Sequence, residues 1–174
     1  MAQCCCFFLS DLNQKCTFVI IRINDKILIY LSLIFFNNIL KKIKKGGTFL
    51  LNTPHSKYKI WAELPSVVQQ RIIDNNVEFY VIDATKVAAE ANLGKRTNTV
   101  LQTCFFAISG VLPKDEAIKK IKDAIVKSYS HKGDKIVQMN FNAVDKSLEN
   151  LQKVEYPRHT TNEEELLPMM SGTT

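Results

Sequence analysis

The chain has 174 residues, of which 46% are hydrophobic, and a formal net charge of +6 from 23 Lys and Arg against 17 Asp and Glu. This length and composition predict one globular domain with a modest core. Much of the positive excess lies before Gly46, and aromatic residues are not interleaved with basic ones, so nucleic acid is not an expected partner. The apolar run 27–36 is far shorter than the about 20 residues that span a bilayer, so no membrane anchor is predicted.

The five cysteines do not have the spacing of a disulfide framework or a metal site. Three are contiguous, no CxxC pair occurs, and the three histidines are far apart. Structural zinc and iron–sulfur sites need thiolates a few residues apart, so that several converge on the metal. The sequence therefore predicts no metal and an intracellular, cytoplasmic protein with reduced thiols. The cysteines are Cys4, Cys5, Cys6, Cys16 and Cys104.

Residues 1–37 differ in composition from the rest of the chain. They are rich in Ile, Leu, Phe and Cys but lack helical spacing, and we expect a misread gene boundary or a divergent exon there. The regular pattern begins afterwards with a short helix capped by Asn37 or Asn38. Four lysines gather in its last turns, which suits the helix dipole, and Gly46 supplies the left-handed position that ends it.

Two short apolar strands follow, at residues 48–51 and 77–82, with a helix at 66–73 between them. Non-alternating apolar strands joined by a helical crossover are typical of a parallel sheet covered on both faces. The fold class is therefore α/β, a partial three-layer α/β/α domain with a mostly parallel sheet and a helix-rich C-terminal half. Asp83 follows the second strand, and we predict that it caps a helix at 85–91. The alternative is that Asp83 is a catalytic acid.

The C-terminal half contains three predicted helices, at residues 98–113, 115–129 and 134–151. The second has an apolar stripe and charged pairs four residues apart, as expected of a surface helix on a sheet. Residues 158–174 are polar and acidic, which predicts a linker or tail. The stripe of the second helix is Ile118, Ile121, Ile125 and Tyr129.

The helix at 98–113 begins with polar residues and continues as an apolar body. Its first N–H groups and partial positive charge suit a phosphate or carbonyl oxygen, and Asn98, Thr99 and Gln102 could add side-chain contacts. The alternative is that Thr97 or Asn98 merely caps a core helix. Asn140 falls in the apolar stripe of the last helix, so its amide must bond either protein backbone or a ligand.

Five blocks in the chain resemble, in order, the gamma domain of pyruvate:ferredoxin (flavodoxin) oxidoreductases. The resemblance covers residues 38–157 and implies an incomplete gamma-type domain between an unmatched segment at 1–37 and a linker at 158–174. The blocks are GGTFLLNTP from Gly46, IWAELPSVVQ from Ile60, FYVIDATKVAAEANLGKRTNT from Phe79, NTVLQTCFFAISGVLP from Asn98 and GDKIVQMNFNAVDKSLENLQKVEYP from Gly133.

The resemblance implies an enzyme that decarboxylates pyruvate oxidatively, passes electrons to ferredoxin or flavodoxin and transfers the acetyl group to coenzyme A. Thiamine diphosphate and the 4Fe-4S clusters would belong to other domains or subunits and not to this chain. This domain would contribute to the coenzyme A site through Asn98 and Asn140, as binding and not catalytic residues. The family's upstream glycine-rich loop and lysine are absent, so the chain alone is expected to be inactive and to bind coenzyme A weakly or not at all.

Two other functions remain open at this stage. The chain could be a non-catalytic scaffold or interaction subunit, or the gamma part of another 2-oxoacid:ferredoxin oxidoreductase, because substrate choice lies in the thiamine domains. The expected partners are the other domains or subunits and, through the parent enzyme, ferredoxin or flavodoxin. A hydrogenosome-like organelle is the alternative to the cytoplasm.

Overall fold

The computed structural model describes residues 8–10, 17–22 and 43–161. In these residues a five-stranded sheet has the strand order β1-β2-β3-β4-β5. The strands are β1 (Phe8–Ser10), β2 (Thr17–Arg22), β3 (Thr48–Asn52), β4 (Glu78–Ile82) and β5 (Gln152–Lys153). The helices are α1 (Ile60–Glu63), α2 (Ser66–Asp74), α3 (Ala84–Glu90), α4 (Asn98–Ile108), α5 (Lys114–Tyr129) and α6 (Asp134–Asn150), with a 3-10 turn at Ser130–Lys132.

The three longest strands, β2, β3 and β4, run parallel, and the short edge strands β1 and β5 pair antiparallel to them. The predicted α/β class is confirmed, with a mixed sheet that is parallel at its centre. The backbone of β2 lies beside β3, although it belongs to the segment that the sequence set apart. The start of the helix predicted before Gly46 lies outside the described residues, whereas Gly46 itself has the expected left-handed backbone, at φ 74°.

Both faces of the central sheet are buried. All five residues of β3 are buried, and alternate side chains belong to two separate apolar clusters. Phe49 stacks on Phe79 of β4, with ring centroids 5.2 Å apart, on the face covered by α1 and α2. Leu50 and Ile82 lie on the other face, against α3, α4 and α6. Each large apolar side chain buried in this way stabilises the fold by about 1.5–3 kcal/mol, so the sheet needs both helical layers.

The turn from β4 to α3 is fixed by two side-chain oxygens. Asp83 Oδ1 accepts a hydrogen bond from the backbone N–H of Lys86 at 2.9 Å, which confirms Asp83 as the helix cap. Asn52, at the end of β3, accepts from the backbone N–H of Ala84, also at 2.9 Å. Two of the unpaired N–H groups in the first turn of α3 are thereby satisfied, and the ends of β3 and β4 are tied together.

The C-terminal helices match the prediction in position but not in every boundary. α5 and α6 lie within one residue of their predicted starts, and Ile121 and Ile125 are buried as expected. α4 ends at Ile108 and not at 113, because Gly110 takes a left-handed backbone at φ 68°. The buried residues of α4 are Val100, Thr103 and Cys104, whereas Phe105 and Phe106 are only half-buried.

Removal of the α3 cap tests this description of the β4–α3 turn. Asp83→Ala is expected to lower the free energy of unfolding by about 1 kcal/mol, because one N–H of the first turn loses its acceptor. Denaturant titration of the 174-residue chain measures the change. Asp123→Ala, at an exposed position within α5, is the matched control and should not lower stability. Equal stability of the Asp83→Ala variant and the parent would contradict a capping role.

Candidate functional site

The first turn of α4 is open on its outer side. Thr97 occupies the position before the helix, but its side chain accepts no hydrogen bond from a backbone N–H of α4. The alternative that the Thr97 side chain caps the helix is therefore wrong. Asn98 is the first helical residue and is exposed, and Gln102 is exposed one turn further along the helix. Since residues four apart share one side of a helix, both amides lie on the solvent side of α4, beside its N-terminus.

The inner side of the same turn is tied to α6. The Thr99 hydroxyl donates to Asn140 Oδ1 at 3.1 Å, and the Asn140 amide nitrogen donates to the backbone oxygen of Ile136 at 2.8 Å. Asn140 is 3% exposed, so its amide is satisfied within the protein by backbone and by Thr99. Of the four predicted site residues, the structure therefore brings Thr99 and Asn140 together, whereas Asn98 and Gln102 lie on the outer side of the helix.

Packing beneath the turn holds α4 in place. The Thr103 hydroxyl donates to the backbone oxygen of Thr99 at 2.7 Å, and Val100 and Cys104 lie in one cluster with Ala143 of α6. Burial raises the pKa of the Cys104 thiol to about 12. The thiol therefore stays protonated at neutral pH, which makes it a packing group and not a nucleophile.

Sequence reasoning missed two basic residues immediately ahead of the helix. Lys95 and Arg96 are both exposed, and Arg96 Nε donates to the backbone oxygen of Leu93 at 3.2 Å, which holds the guanidinium stem against the loop. Their charge adds to the partial positive charge of the α4 N-terminus. The signal was present as Gly-Lys-Arg before the helix. The arrangement suits an anion or an amide oxygen at the start of α4.

Two negative findings limit the chemistry of the described part of the chain. Within residues 43–161 no group of three or more His, Cys, Asp or Glu side chains could hold a metal ion; the first four cysteines lie outside the described residues. No helix of the described chain is both long and apolar enough to cross a bilayer.

A surface groove of about 320 Å³ is lined by residues 76–79 and 153–156, and none of the four predicted site residues lines it.

Comparison with known proteins agrees with the blocks quoted above. The family model described as pyruvate ferredoxin/flavodoxin oxidoreductase matches residues 25–150. The chain belongs to this family. The match confirms the resemblance seen in the sequence, and curated relatives with the names pyruvate-flavodoxin and pyruvate:ferredoxin oxidoreductase also match.

The curated relatives of the pyruvate ferredoxin/flavodoxin oxidoreductase family are much longer than this chain. A pyruvate-flavodoxin oxidoreductase of Rhodospirillum rubrum is 52% identical over 120 residues, which is 69% of this chain but 10% of the relative. A pyruvate:ferredoxin oxidoreductase of Moorella thermoacetica is 51% identical with the same coverage. A pyruvate dehydrogenase [NADP(+)] of Cryptosporidium parvum is 40% identical over 148 residues, 84% of this chain and 7% of the relative.

Among solved structures, the pyruvate oxidoreductase subunit PORC of Thermotoga maritima has the same fold. It superposes with a TM-score of 0.55 at 18% identity, covering 78% of this chain and 65% of that one. At this identity the likeness establishes the α/β fold alone. Family membership therefore rests on the sequence matches.

The Thr99–Asn140 hydrogen bond is expected to couple α4 to α6 energetically. Thr99→Val removes the donor with little change of volume and should lower the free energy of unfolding by about 1 kcal/mol. In a double-mutant cycle with Asn140→Ala, the double variant should lose at least about 0.5 kcal/mol less unfolding free energy than the sum of the two single losses. Denaturant titrations of the four proteins give the coupling.

Asn142→Ala is the matched control for this cycle, because Asn142 lies on α6 two residues away but is exposed. Its combination with Thr99→Val should be additive. Additive losses in the Asn140 cycle would show that the bond contributes nothing to holding the two helices together.

Proposed function

We propose that this chain is part of a pyruvate:ferredoxin or pyruvate:flavodoxin oxidoreductase and contributes to its coenzyme A site. In that reaction pyruvate loses CO2, its acetyl group is transferred to coenzyme A, and two electrons pass singly to the acceptor protein. The role assigned to the chain is to bind and orient coenzyme A and to pack against the other domains. One observation carries this proposal: the α4 N-terminus is exposed on its outer side, and hydrogen bonds and packing hold it on its inner side.

The four predicted residues take different roles in this proposal. Asn98 is exposed and can contact the ligand directly, since its amide both donates and accepts, as a pantetheine amide or an adenine edge requires. Gln102 extends the same surface by one turn. Asn140 is a positioning residue that acts through Thr99, because both ends of its amide are already bonded inside the protein.

The charge around the helix start also fits coenzyme A. Its phosphates are anions, and a helix N-terminus with two adjacent basic side chains is a favourable place for one of them. Lys95 and Arg96 supply those charges at the surface. In this proposal the start of α4 forms one side of the binding site, and other parts of the enzyme enclose the ligand.

The remaining chemistry is assigned to the rest of the enzyme. The chain spans about a tenth of the length of its curated relatives, and residues 43–161 offer no ligand set for an iron–sulfur cluster. Thiamine diphosphate, when bound elsewhere, supplies the carbanion chemistry that cleaves pyruvate. This chain is proposed to bind neither group and to have no activity by itself. The proposed location is the cytoplasm, with a hydrogenosome-like organelle as the alternative.

A second candidate differs only in the electron acceptor. The Cryptosporidium parvum relative is named for NADP(+), and its match extends over 84% of this chain. The same decarboxylation could therefore deliver electrons to a nicotinamide nucleotide in place of ferredoxin or flavodoxin. Assay of the full-length enzyme with each acceptor, at saturating pyruvate and coenzyme A, distinguishes the two.

The proposed contact of Asn98 predicts a selective loss of coenzyme A affinity. In the full-length enzyme that carries this segment, Asn98→Ala should raise KM for coenzyme A about tenfold, since a hydrogen bond to the ligand is lost. KM for pyruvate should not change. Asn142→Ala is the matched control. An unchanged KM for coenzyme A would remove Asn98 from the site.

The chain by itself should bind coenzyme A weakly, because only one side of the site is present. Isothermal titration of the 174-residue chain with coenzyme A is expected to give no dissociation constant tighter than about 0.1 mM, equivalent to a binding free energy of only about 5.5 kcal/mol. Low-micromolar binding by this chain would contradict the idea that other parts of the enzyme complete the site.

A further inference from the structure

The chain changes sides of the sheet after α6. Ala143 of α6 packs on the face that contains Leu50 and Ile82. The two-residue strand β5 then runs along the edge of β4, and Val154 enters the cluster on the opposite face. We call residues 154–161 the strap, because they carry the chain from the sheet edge across the layer formed by α1 and α2.

Aromatic and backbone contacts fasten the first half of the strap. The backbone N–H of Val154 donates to the backbone oxygen of Phe79 at 2.8 Å. Tyr156 stacks on Trp61 of α1, with ring centroids 5.0 Å apart and planes 12° from parallel. The Tyr156 hydroxyl donates to the backbone oxygen of Val77 at 2.7 Å. Burial raises the pKa of that hydroxyl, which therefore remains a donor at neutral pH.

Gln69 of α2 fastens the far end. Its side chain is 0% exposed, and its amide nitrogen donates to the backbone oxygen of Trp61 at 2.6 Å and to the Thr161 hydroxyl at 3.1 Å. Its amide oxygen accepts from the backbone N–H of Thr161 at 2.9 Å. A buried amide is costly unless it is bonded, and two of these three bonds go to the strap.

These contacts fasten the strap along its length, including residues 158–161, which the sequence predicts as the start of a linker. We infer that the strap is a rigid joint, which fixes the chain up to Thr161 against the α1–α2 layer. Asn98 and Asn140 belong to helices that pack on the other face of the sheet, so the strap lies on the opposite side of the sheet from them. This inference does not depend on the assignment of coenzyme A.

Limited proteolysis with trypsin at Arg158, an exposed residue within the strap, tests the joint in the 174-residue chain. Cleavage requires the strap to open, so its rate follows the population of the open form. Gln69→Leu removes both bonds to Thr161 and should accelerate cleavage after Arg158 by roughly tenfold or more. Gln70→Leu is the matched control, since Gln70 lies on the same helix but is exposed and bonds only Asp74, and it should leave the rate unchanged.

If Gln69→Leu disturbs folding, trypsin will cut early after Arg71 within α2. A second variant tests the joint independently of that outcome. Thr161 is exposed, and Thr161→Pro removes its backbone N–H, which donates to Gln69. This variant should accelerate cleavage after Arg158 to a similar extent. The inference is overturned if Thr161→Pro is cut at the parental rate. It is equally overturned if the parent is cut after Arg158 as fast as a free peptide of residues 150–165.

Discussion

Burial of both faces of β3 and β4 is the constraint on which the other elements depend. Alternate side chains of these two strands enter two different apolar clusters, so neither face can be left to solvent. One face needs α1 and α2, and the other needs α3, α4 and α6. The start of α4 is therefore placed by the packing of its inner side, and its outer side is free to be polar.

Apolar patterning made the central elements predictable. The runs at 48–51 and 77–82, and the stripe through Ile121 and Ile125, identify strands and helices because burial imposes a period on the sequence. The end of α4 was misjudged because its apolar character continues past Gly110, where the backbone turns. β5 consists only of Gln152 and Lys153 and has no strand pattern, so only its pairing with β4 reveals it.

The candidate site shows a different limit. Its location at the start of α4 follows from local sequence, since a polar first turn before an apolar body is a readable pattern. The bond that satisfies Asn140 comes from Thr99, which lies 41 residues away in the chain, and no local pattern encodes it. The same applies to Gln69 and Thr161, 92 residues apart. Family membership was readable because it rests on long blocks of sequence.

The stacked pair of Trp61 and Tyr156 has a practical consequence. Trp61 is the only tryptophan in the chain, and its indole is largely buried against the strap. Tryptophan fluorescence therefore comes from a single position, at the contact between α1 and the strap. Separation of the rings would expose the indole to water and shift its emission to longer wavelength. The molecule thus contains its own optical probe of this contact, without any added label.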